Sequence, residues 1–376
     1  MSISSARANA WQRVERLLLV RLDNLGDVLM TTPAFRACAA PGRRLTLLAS
    51  AGGAAISGHV DSVDEVIVHA ASWVKGTAPD VPHAGHDRRL VAALRRGRFD
   101  AAIVFTVCTQ SALPAALICR LAGIPLRLAH VRENPYALLT DWVPDADTVR
   151  DGMRHEVRRQ LDLVGSVGYR CRDDRLALRF SANDARGAAQ RLAAAGGDPN
   201  RPYVLVHVGS SASSRRYPAA RFGAAAHRLR QQTGMQIVFC GGTAEAEQVG
   251  AAVEAMEAAS PHQAPGACVA LAGGLQLGEL AALIGAAQVV VCNNSGPAHI
   301  AAACGTPVVV TYAQTNPQHT PWKVPSRVLS RDVPCRNCLK SRCPFLDHPC
   351  LLGIDEHEVA GAALELLAES ASRTAA

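Results

Sequence analysis

The sequence predicts an α/β protein of two Rossmann-like halves, each built on a mainly parallel sheet. Three observations predict it. Short apolar, β-branched runs alternate with helical stretches, and the spacing leaves room for a crossover helix between strands. The alternation starts twice, at Arg16–Leu22 and again at Tyr203–Val208. Late in the chain, CNNSGPAHIAAACGTPVVV (Cys292–Val310) reads as strand, tight polar turn, short helix, glycine stop and second strand. With 376 residues there is enough chain for two ordinary domains.

The elements follow in order. Arg16–Leu22 is an apolar strand, followed by a polar turn and a helix from about Gly26 to Ala39. Leu45–Ala49, Glu65–His69 and Ala101–Thr106 are further strands, with helical stretches between them. This gives a first domain over residues 1–180. SANDARGAAQRLAAAGGDPN, residues 181–200, is a linker carrying one amphipathic helix. The second domain, 181–355, has strands at Tyr203–Val208, Gln236–Cys240, near Ala270, Gln288–Cys292 and Pro307–Thr311. Residues 356–376 form a tail whose first part, about Glu356 to Glu369, is helical and could pack back on the first domain. Ligands of such sheets bind outside the carboxyl ends of the strands. Two halves facing one another would leave a cleft for a substrate.

Composition narrows the function. The formal net charge is +7, and nearly all the basic residues are arginine; the lysines are Lys75, Lys323 and Lys340. They are scattered rather than striped, which excludes a nucleic-acid reading and favours anionic substrates or an anionic membrane surface. The most apolar stretch, Ala112–Leu126, is broken by Arg120 and two prolines and does not read as a membrane span. The N-terminus has no signal-peptide pattern. Of 12 cysteines, eight are dispersed through apolar segments, which suits a reducing cytoplasm. No GxGxxG occurs, which argues against a nicotinamide oxidoreductase.

Four segments carry candidate chemistry. In RLDNLGDVLMTTPAF, residues 21–35, Asn24 and Gly26 make a tight turn. Asp27 then sits where strand becomes helix, as a helix cap or as a general base. In YVLVHVGSSASSRRYPAARF, residues 203–222, a strand leads into a small-residue loop. There Ser210, Ser211, Arg215 and Arg216 could receive a phosphate; the bland reading is a solvated loop. In VFCGGTAEAEQ, Glu245 or Glu247 could meet a ribose, or serve only as a partner of the helix dipole. In the Cys292–Val310 segment, Asn294 or Ser295 caps a helix, Pro297 suits its first turn and Gly305 ends it. The N–H groups at Ser295 and Gly296 then face an anion site. His299 lies on the first turns of that helix, as a ligand contact or a packed histidine. A last cluster, Cys335, Cys338, Cys343 and Cys350, is spaced C-x2-C-x4-C-x6-C. It could hold a structural zinc or iron, or consist of packed or redox-sensitive thiols.

These pieces in this order resemble glycosyltransferase family nine, whose best-known members are the ADP-heptose:lipopolysaccharide heptosyltransferases. The resemblance runs from about Arg16 to Leu367. It rests on RLDNLGDVLMTTPAFRA, HVGSSASSRRYPAARF, NNSGPAHIAAACGTPVV and the cysteine-rich segment ending CLLGI. It implies a GT-B fold, with the acceptor on the first domain and the sugar nucleotide on the second. It also implies inverting transfer without a catalytic metal, with Asp27 as base. The leaving diphosphate would meet Arg216, the Ser210–Ser214 loop and the Ser295–Gly296 N–H groups, and Glu245 the ribose or adenine side. Some relatives are thought to bind iron through four cysteines in the region of Cys335–Cys350. ADP-heptose is the expected donor. The expected acceptor is a hydroxyl of a glycan, glycolipid, protein or small metabolite, with peripheral membrane contact by the first domain at the inner face of the membrane. Two positions depart from the family pattern. Arg216 stands where Lys is usual, and Asn294 where Asp is usual. The second departure leaves room for another donor sugar, or for a relative that binds sugar nucleotide without turnover.

Overall fold

The computed structural model describes residues 5–74, 84–148, 153–259, 268–315 and 317–374. The chain divides into two compact units, Met1–Ala177 and Leu178–Ala376, three residues from the boundary read in the sequence.

The first unit runs α1 (Ser5–Gln12), β1 (Arg16–Arg21), α2 (Leu25–Cys38), β2 (Arg44–Ala49), α3 (Ala51–Ala54), β3 (Glu65–Val68), α4 (Ala84–Gly97), β4 (Ala101–Val104), α5 (Leu113–Leu121), β5 (Leu126–Val131), β6 (Asp141–Pro144) and α6 (Glu156–Gly165). Its six strands lie in the order β3-β2-β1-β4-β5-β6, all parallel. This is the Rossmann order, and the switch point falls between β1 and β4. β1 is buried at every position after Arg16, as the continuous apolar run requires of a central parallel strand. α2 carries Pro33 in its interior, where the ring removes one N–H from the ladder. Thr32 Oγ1 donates to the Leu29 carbonyl at 2.7 Å, which satisfies the acceptor left over.

The second unit runs α7 (Ala182–Ala194), β7 (Tyr203–His207), α8 (Ala219–Thr233), β8 (Gln236–Gly241), α9 (Ala246–Ala258), β9 (Cys268–Ala272), α10 (Leu277–Ala286), β10 (Val289–Asn293), α11 (Gly296–Cys304), β11 (Val308–Thr311), β12 (Ser326–Leu329), α12 (Pro349–Leu352) and α13 (Glu356–Thr374). Its strands lie in the order β12-β11-β10-β7-β8-β9, again all parallel. Read from β9, the connectivity repeats that of the first unit, with the switch point between β7 and β10.

The tail helix α13 packs within the second unit, on α8 and on β10 to β12. Its Val359, Ala360, Ala363 and Leu366 are buried in that unit's core beside Phe222 and Ala226. The apolar face of the tail is therefore spent on its own domain, where the sequence had left packing on the first domain open. Among the described residues no helix is long and apolar enough to cross a membrane.

Candidate functional site

In the first unit, chemistry gathers at the switch point. β1 ends in Arg21, and the chain turns through Asp23 and Asn24 into α2. Asn24 is the N-cap, and Asp27 sits three residues on, in the first turn. The Asn24 N–H donates to Asp27 Oδ2 at 3.2 Å, so Asp27 does close the turn. Its other oxygen, Oδ1, lies 3.5 Å from Arg21 Nη2, and the side chain keeps 16% exposure. Asp27 thus takes part in capping and also presents a carboxylate at the carboxyl edge of the sheet. Gly26 sits beside it in the turn.

Sequence reasoning missed the groups behind Asp27. Arg21 is fully buried. Its Nε meets Asp23 Oδ2 at 3.1 Å, and its Nη2 meets Glu156 Oε1 at 2.8 Å. Gln110, from the loop after β4, donates Nε2 to Asp23 Oδ1 at 2.7 Å and so bridges the switch point. Gln160 donates to Glu156 Oε1 at 2.7 Å. Burial pulls the Arg21 guanidinium down, but the charges of Asp23, Glu156 and Asp27 outweigh it and hold the group above its usual range. Burial pushes the Asp23 carboxyl up, and Asp27 and Glu156 add to that against Arg21 and Gln110; the result is about 6. The only signal in the sequence was an arginine ending an otherwise apolar strand. Its partner Glu156 is 135 residues away.

In the second unit the corresponding edge lies after β7 and β10. Asn293, the last residue of β10, is fully buried and saturated. Its Nδ2 donates to the carbonyls of Val208 (2.7 Å) and Gly209 (3.2 Å). Its Oδ1 accepts from the Tyr217 N–H (2.9 Å) and from Thr311 Oγ1 (3.1 Å). This one side chain ties the serine-arginine loop to β10 and β11, a role the sequence reading had not given it. Ser295, not Asn294, is the N-cap of α11. Its hydroxyl is turned toward the carbonyls of Gly209 and Asn293, both at 3.4 Å, and makes no cap bond to the helix. Pro297 lies in the first turn, and Gly305 ends the helix at φ 76°, a left-handed conformation that suits glycine. Asn294 is buried with its N–H on the Thr311 carbonyl at 3.2 Å. His299 is also buried, with its ring 6.4 Å from that of His319.

The loop itself divides. Ser214 Oγ donates to the Lys340 carbonyl at 2.7 Å, and the Ser214 N–H donates to the Ser341 carbonyl at 3.1 Å. Those donors hold the cysteine-rich segment and are not open to a phosphate. Ser210 Oγ is buried without a hydrogen-bond partner among the described residues, and Ser211 is exposed. Arg216 is exposed, with Nε donating to the Ser210 carbonyl at 2.8 Å. Arg215 is half-buried, and its Nε has no partner among the described residues. Glu245 Oε2 accepts the Gly242 N–H at 2.8 Å. Its carboxylate lies so close over Gly209 that a Cβ there would come within 1.9 Å of it. Glu245 therefore belongs to this edge, whereas Glu247 is an exposed residue in the first turn of α9.

The four clustered cysteines line one cavity of about 140 Å³, shared with Ser214 and His348. Cys350 is buried and the other three are half-buried. Burial, with the neighbouring cysteines adding, pushes the Cys350 thiol up. Four soft donors on one small cavity suit zinc or iron in chemistry. Among the described residues, the set whose ligand atoms come within 4.8 Å of one another is elsewhere, at Asp355, Glu356 and His357. There Asp355 Oδ1 already accepts the His357 N–H at 2.6 Å.

Two Rossmann-type units, with a carboxylate at one switch point and an uncapped helix N-terminus at the other, are the parts of a GT-B glycosyltransferase. Comparison with known proteins agrees. The model of glycosyltransferase family 9 (heptosyltransferase) matches residues 87–348. The chain is 27% identical over 340 residues to lipopolysaccharide heptosyltransferase 1 of Pseudomonas aeruginosa, covering 88% of each. It is 26% identical over 320 residues to lipopolysaccharide heptosyltransferase 2 of Escherichia coli, covering 81% of this chain and 85% of that one. The structure of Escherichia coli ADP-heptose lps heptosyltransferase II superposes with a TM-score of 0.71 at 22% identity, over 94% of this chain and 99% of that one. The protein belongs to glycosyltransferase family 9, the heptosyltransferase family. Asp27 lies outside the stretch matched by the family model, so its role rests on its own geometry and motif.

Proposed function

We propose that this glycosyltransferase moves heptose from ADP-heptose to a hydroxyl of a lipopolysaccharide-core acceptor, with inversion and without a catalytic metal. The observation that carries the proposal is the placing of Asp27. It is a carboxylate at the carboxyl edge of a central strand, fixed on one side by a backbone N–H and on the other by a buried arginine. Asp27 takes the proton of the acceptor hydroxyl as its oxygen attacks the anomeric carbon. Attack from the face opposite the diphosphate inverts the configuration, and ADP departs with the bonding electrons. The developing charge is met by Arg215 and Arg216, by Ser210 and Ser211, and by the N-terminal N–H groups of α11 at Ser295 and Gly296. Glu245 faces the ribose, and Asn294 and His299 line the helix side.

The names of the relatives support donor and acceptor. The net charge of +7 supports an anionic acceptor and peripheral contact with an anionic membrane surface at the cytoplasmic face. Cys335, Cys338, Cys343 and Cys350 complete the proposal as a structural site for zinc or iron. Bound there, the metal would only crosslink the segment, and it takes no part in transfer.

Incubation with ADP-heptose and a panel of core oligosaccharides, read by mass spectrometry and by NMR of the new anomeric centre, tests the reading. A product heavier by one heptose, of inverted configuration and unaffected by EDTA, is expected. Loss of turnover in EDTA with recovery on adding magnesium would remove the metal-independent mechanism. Binding of ADP-heptose without transfer or hydrolysis would leave only a binding protein.

A further inference from the structure

We infer that Arg21 is a positioning residue: clasped by Glu156 and Asp23, it orients the Asp27 carboxylate and sets the acid limb of the transfer reaction. The inference rests on the reading of Asp27 as the base.

One cation serves three carboxylates here. Arg21 Nη2 is 2.8 Å from Glu156 Oε1 and 3.5 Å from Asp27 Oδ1, while Nε is 3.1 Å from Asp23 Oδ2. Arg21 and Glu156 have no solvent exposure and Asp23 has 8%. A buried ion pair is a poor device for stability alone, because desolvation offsets most of its attraction. A planar guanidinium is a good device for orientation, because its donors leave in fixed directions. Glu156, itself held by Gln160, and Asp23, held by Gln110, fix two edges of that plane. The Nη2 that meets Glu156 also lies 3.5 Å from Asp27 Oδ1, so the nitrogen that Glu156 holds is the one beside the base. With Oδ2 on the Asn24 N–H and Oδ1 facing the Arg21 cation, the carboxylate is oriented before any acceptor arrives. Among the described residues, Arg21 and Asp23 at the end of β1 carry charge beside Asp27, and Glu156 on α6 meets the same Arg21 nitrogen that faces Asp27. A fixed cation favours the ionised Asp27 carboxylate; Glu156 opposes it, and Asp23 does so once it has lost its own proton at about 6.

Two substitutions pull on this balance in opposite directions. Glu156→Gln keeps the shape and removes one anion, so Arg21 acts more strongly on Asp27. Arg21→Lys keeps the charge but loses the fork, and an ammonium cannot reach Glu156 and Asp27 together. The readout is the pH profile of kcat/KM for consumption of ADP-heptose, with a core oligosaccharide or water as acceptor, alongside calorimetry with ADP. For Glu156→Gln the acid limb is expected to move to lower pH, by about half a unit or more. For Arg21→Lys it is expected to move to higher pH, with kcat down ~10-fold or more. ADP affinity should stay within ~2-fold of the parent in both, because no group of the second unit is altered. Should Arg21→Lys fail to fold, the isosteric Glu156→Gln decides alone. Folded variants whose acid limbs coincide with the parent's, with Asp27→Asn inactive, would overturn the positioning role and leave the base assignment standing. Full turnover in Asp27→Asn would overturn both.

Discussion

Asp27 is the residue on which the proposed mechanism turns. Replacing it with Asn keeps the shape of the turn and removes the base. Turnover is expected to fall by ~10²–10⁴-fold while ADP binding is retained. Rates in folded Asp27→Asn, read beside ADP calorimetry, check this. Gly209 offers a test on the other unit. Its missing Cβ leaves the space filled by the Glu245 carboxylate, at 1.9 Å from where that atom would stand. Gly209→Ala must displace Glu245 or the loop, and overpacking of this kind costs about 1–3 kcal/mol. A lowered melting temperature with weaker ADP binding is expected; an unchanged KM for ADP-heptose would show that Glu245 does not touch the donor. The position of Asp27, in the turn after β1, could be read from sequence because a Gly-Asp pair after an apolar strand is local. Arg21, Asp23 and Glu156 could not be read as one group, because the fold brings α6 to the end of β1 only in three dimensions. Asn293 was hidden for a similar reason. Its four partners come from three other segments, and the neighbouring Asn294 and Ser295 looked like the working residues.

At the scale of elements, nine of the twelve strands among the described residues were legible, the edge strands β3 and β9 among them, and β5, β6 and β12 were not. β1, β7, β8 and β10 are buried on both faces, so they read as unbroken apolar runs. β5 carries Arg127 and His130, and β6 is four residues, DWVP, ending in proline; neither fits a period-two or all-apolar pattern. β12, SRVL, is half-exposed at the sheet edge and has no apolar run at all. The cysteine-rich segment was legible as a cluster, but its attachment was not. Its carbonyls at Lys340 and Ser341 hold Ser214, so the segment buttresses the loop that carries Arg215 and Arg216. This coupling predicts more than a loss of stability. Cys338→Ser should lower the melting temperature and release bound zinc or iron, about one per chain. It should also raise KM for ADP-heptose while leaving the pH profile in place. Elemental analysis of protein purified without an affinity metal column, together with donor kinetics, checks both parts. Reactive thiols at all four positions, with neither metal present, would leave packed thiols in the cavity.

The whole molecule carries several titrating groups whose burial ties stability to pH, and their signs differ. His130 is held neutral by burial, with the Arg159 charge adding, and titrates at about 4. His69 is lowered by burial and by His86. His207 is lowered by burial, which outweighs the pull of Glu245. For each, the unfolded chain takes up a proton at a higher pH than the native protein does. Each therefore adds stability that grows as pH rises and is lost on acidification, for His130 between about 4 and 6.5. Asp145 acts in the same sense. Burial would raise it, but its bond and charge contacts with Arg159 bring it below its usual range, so its contribution is lost as pH falls through that lowered value. Asp23 opposes them. Its native carboxyl keeps a proton up to about 6, whereas the unfolded one releases it near 3.8. Across that window the native state binds the extra proton, and stability falls as pH rises. Asp145 acts below that window; within it the three histidines outnumber the one opposing aspartate, so the thermal midpoint of the parent protein should rise between pH 4.5 and 7. Asp23→Asn removes the opposing group, and its midpoint should climb more steeply over the same interval. Calorimetric scans of both proteins at pH 4.5, 5.5 and 7 read the two slopes. Parallel slopes would mean that Asp23 does not hold its proton in the native state, and equal midpoints at all three pH values in the parent would mean that the buried histidines do not govern its acid stability.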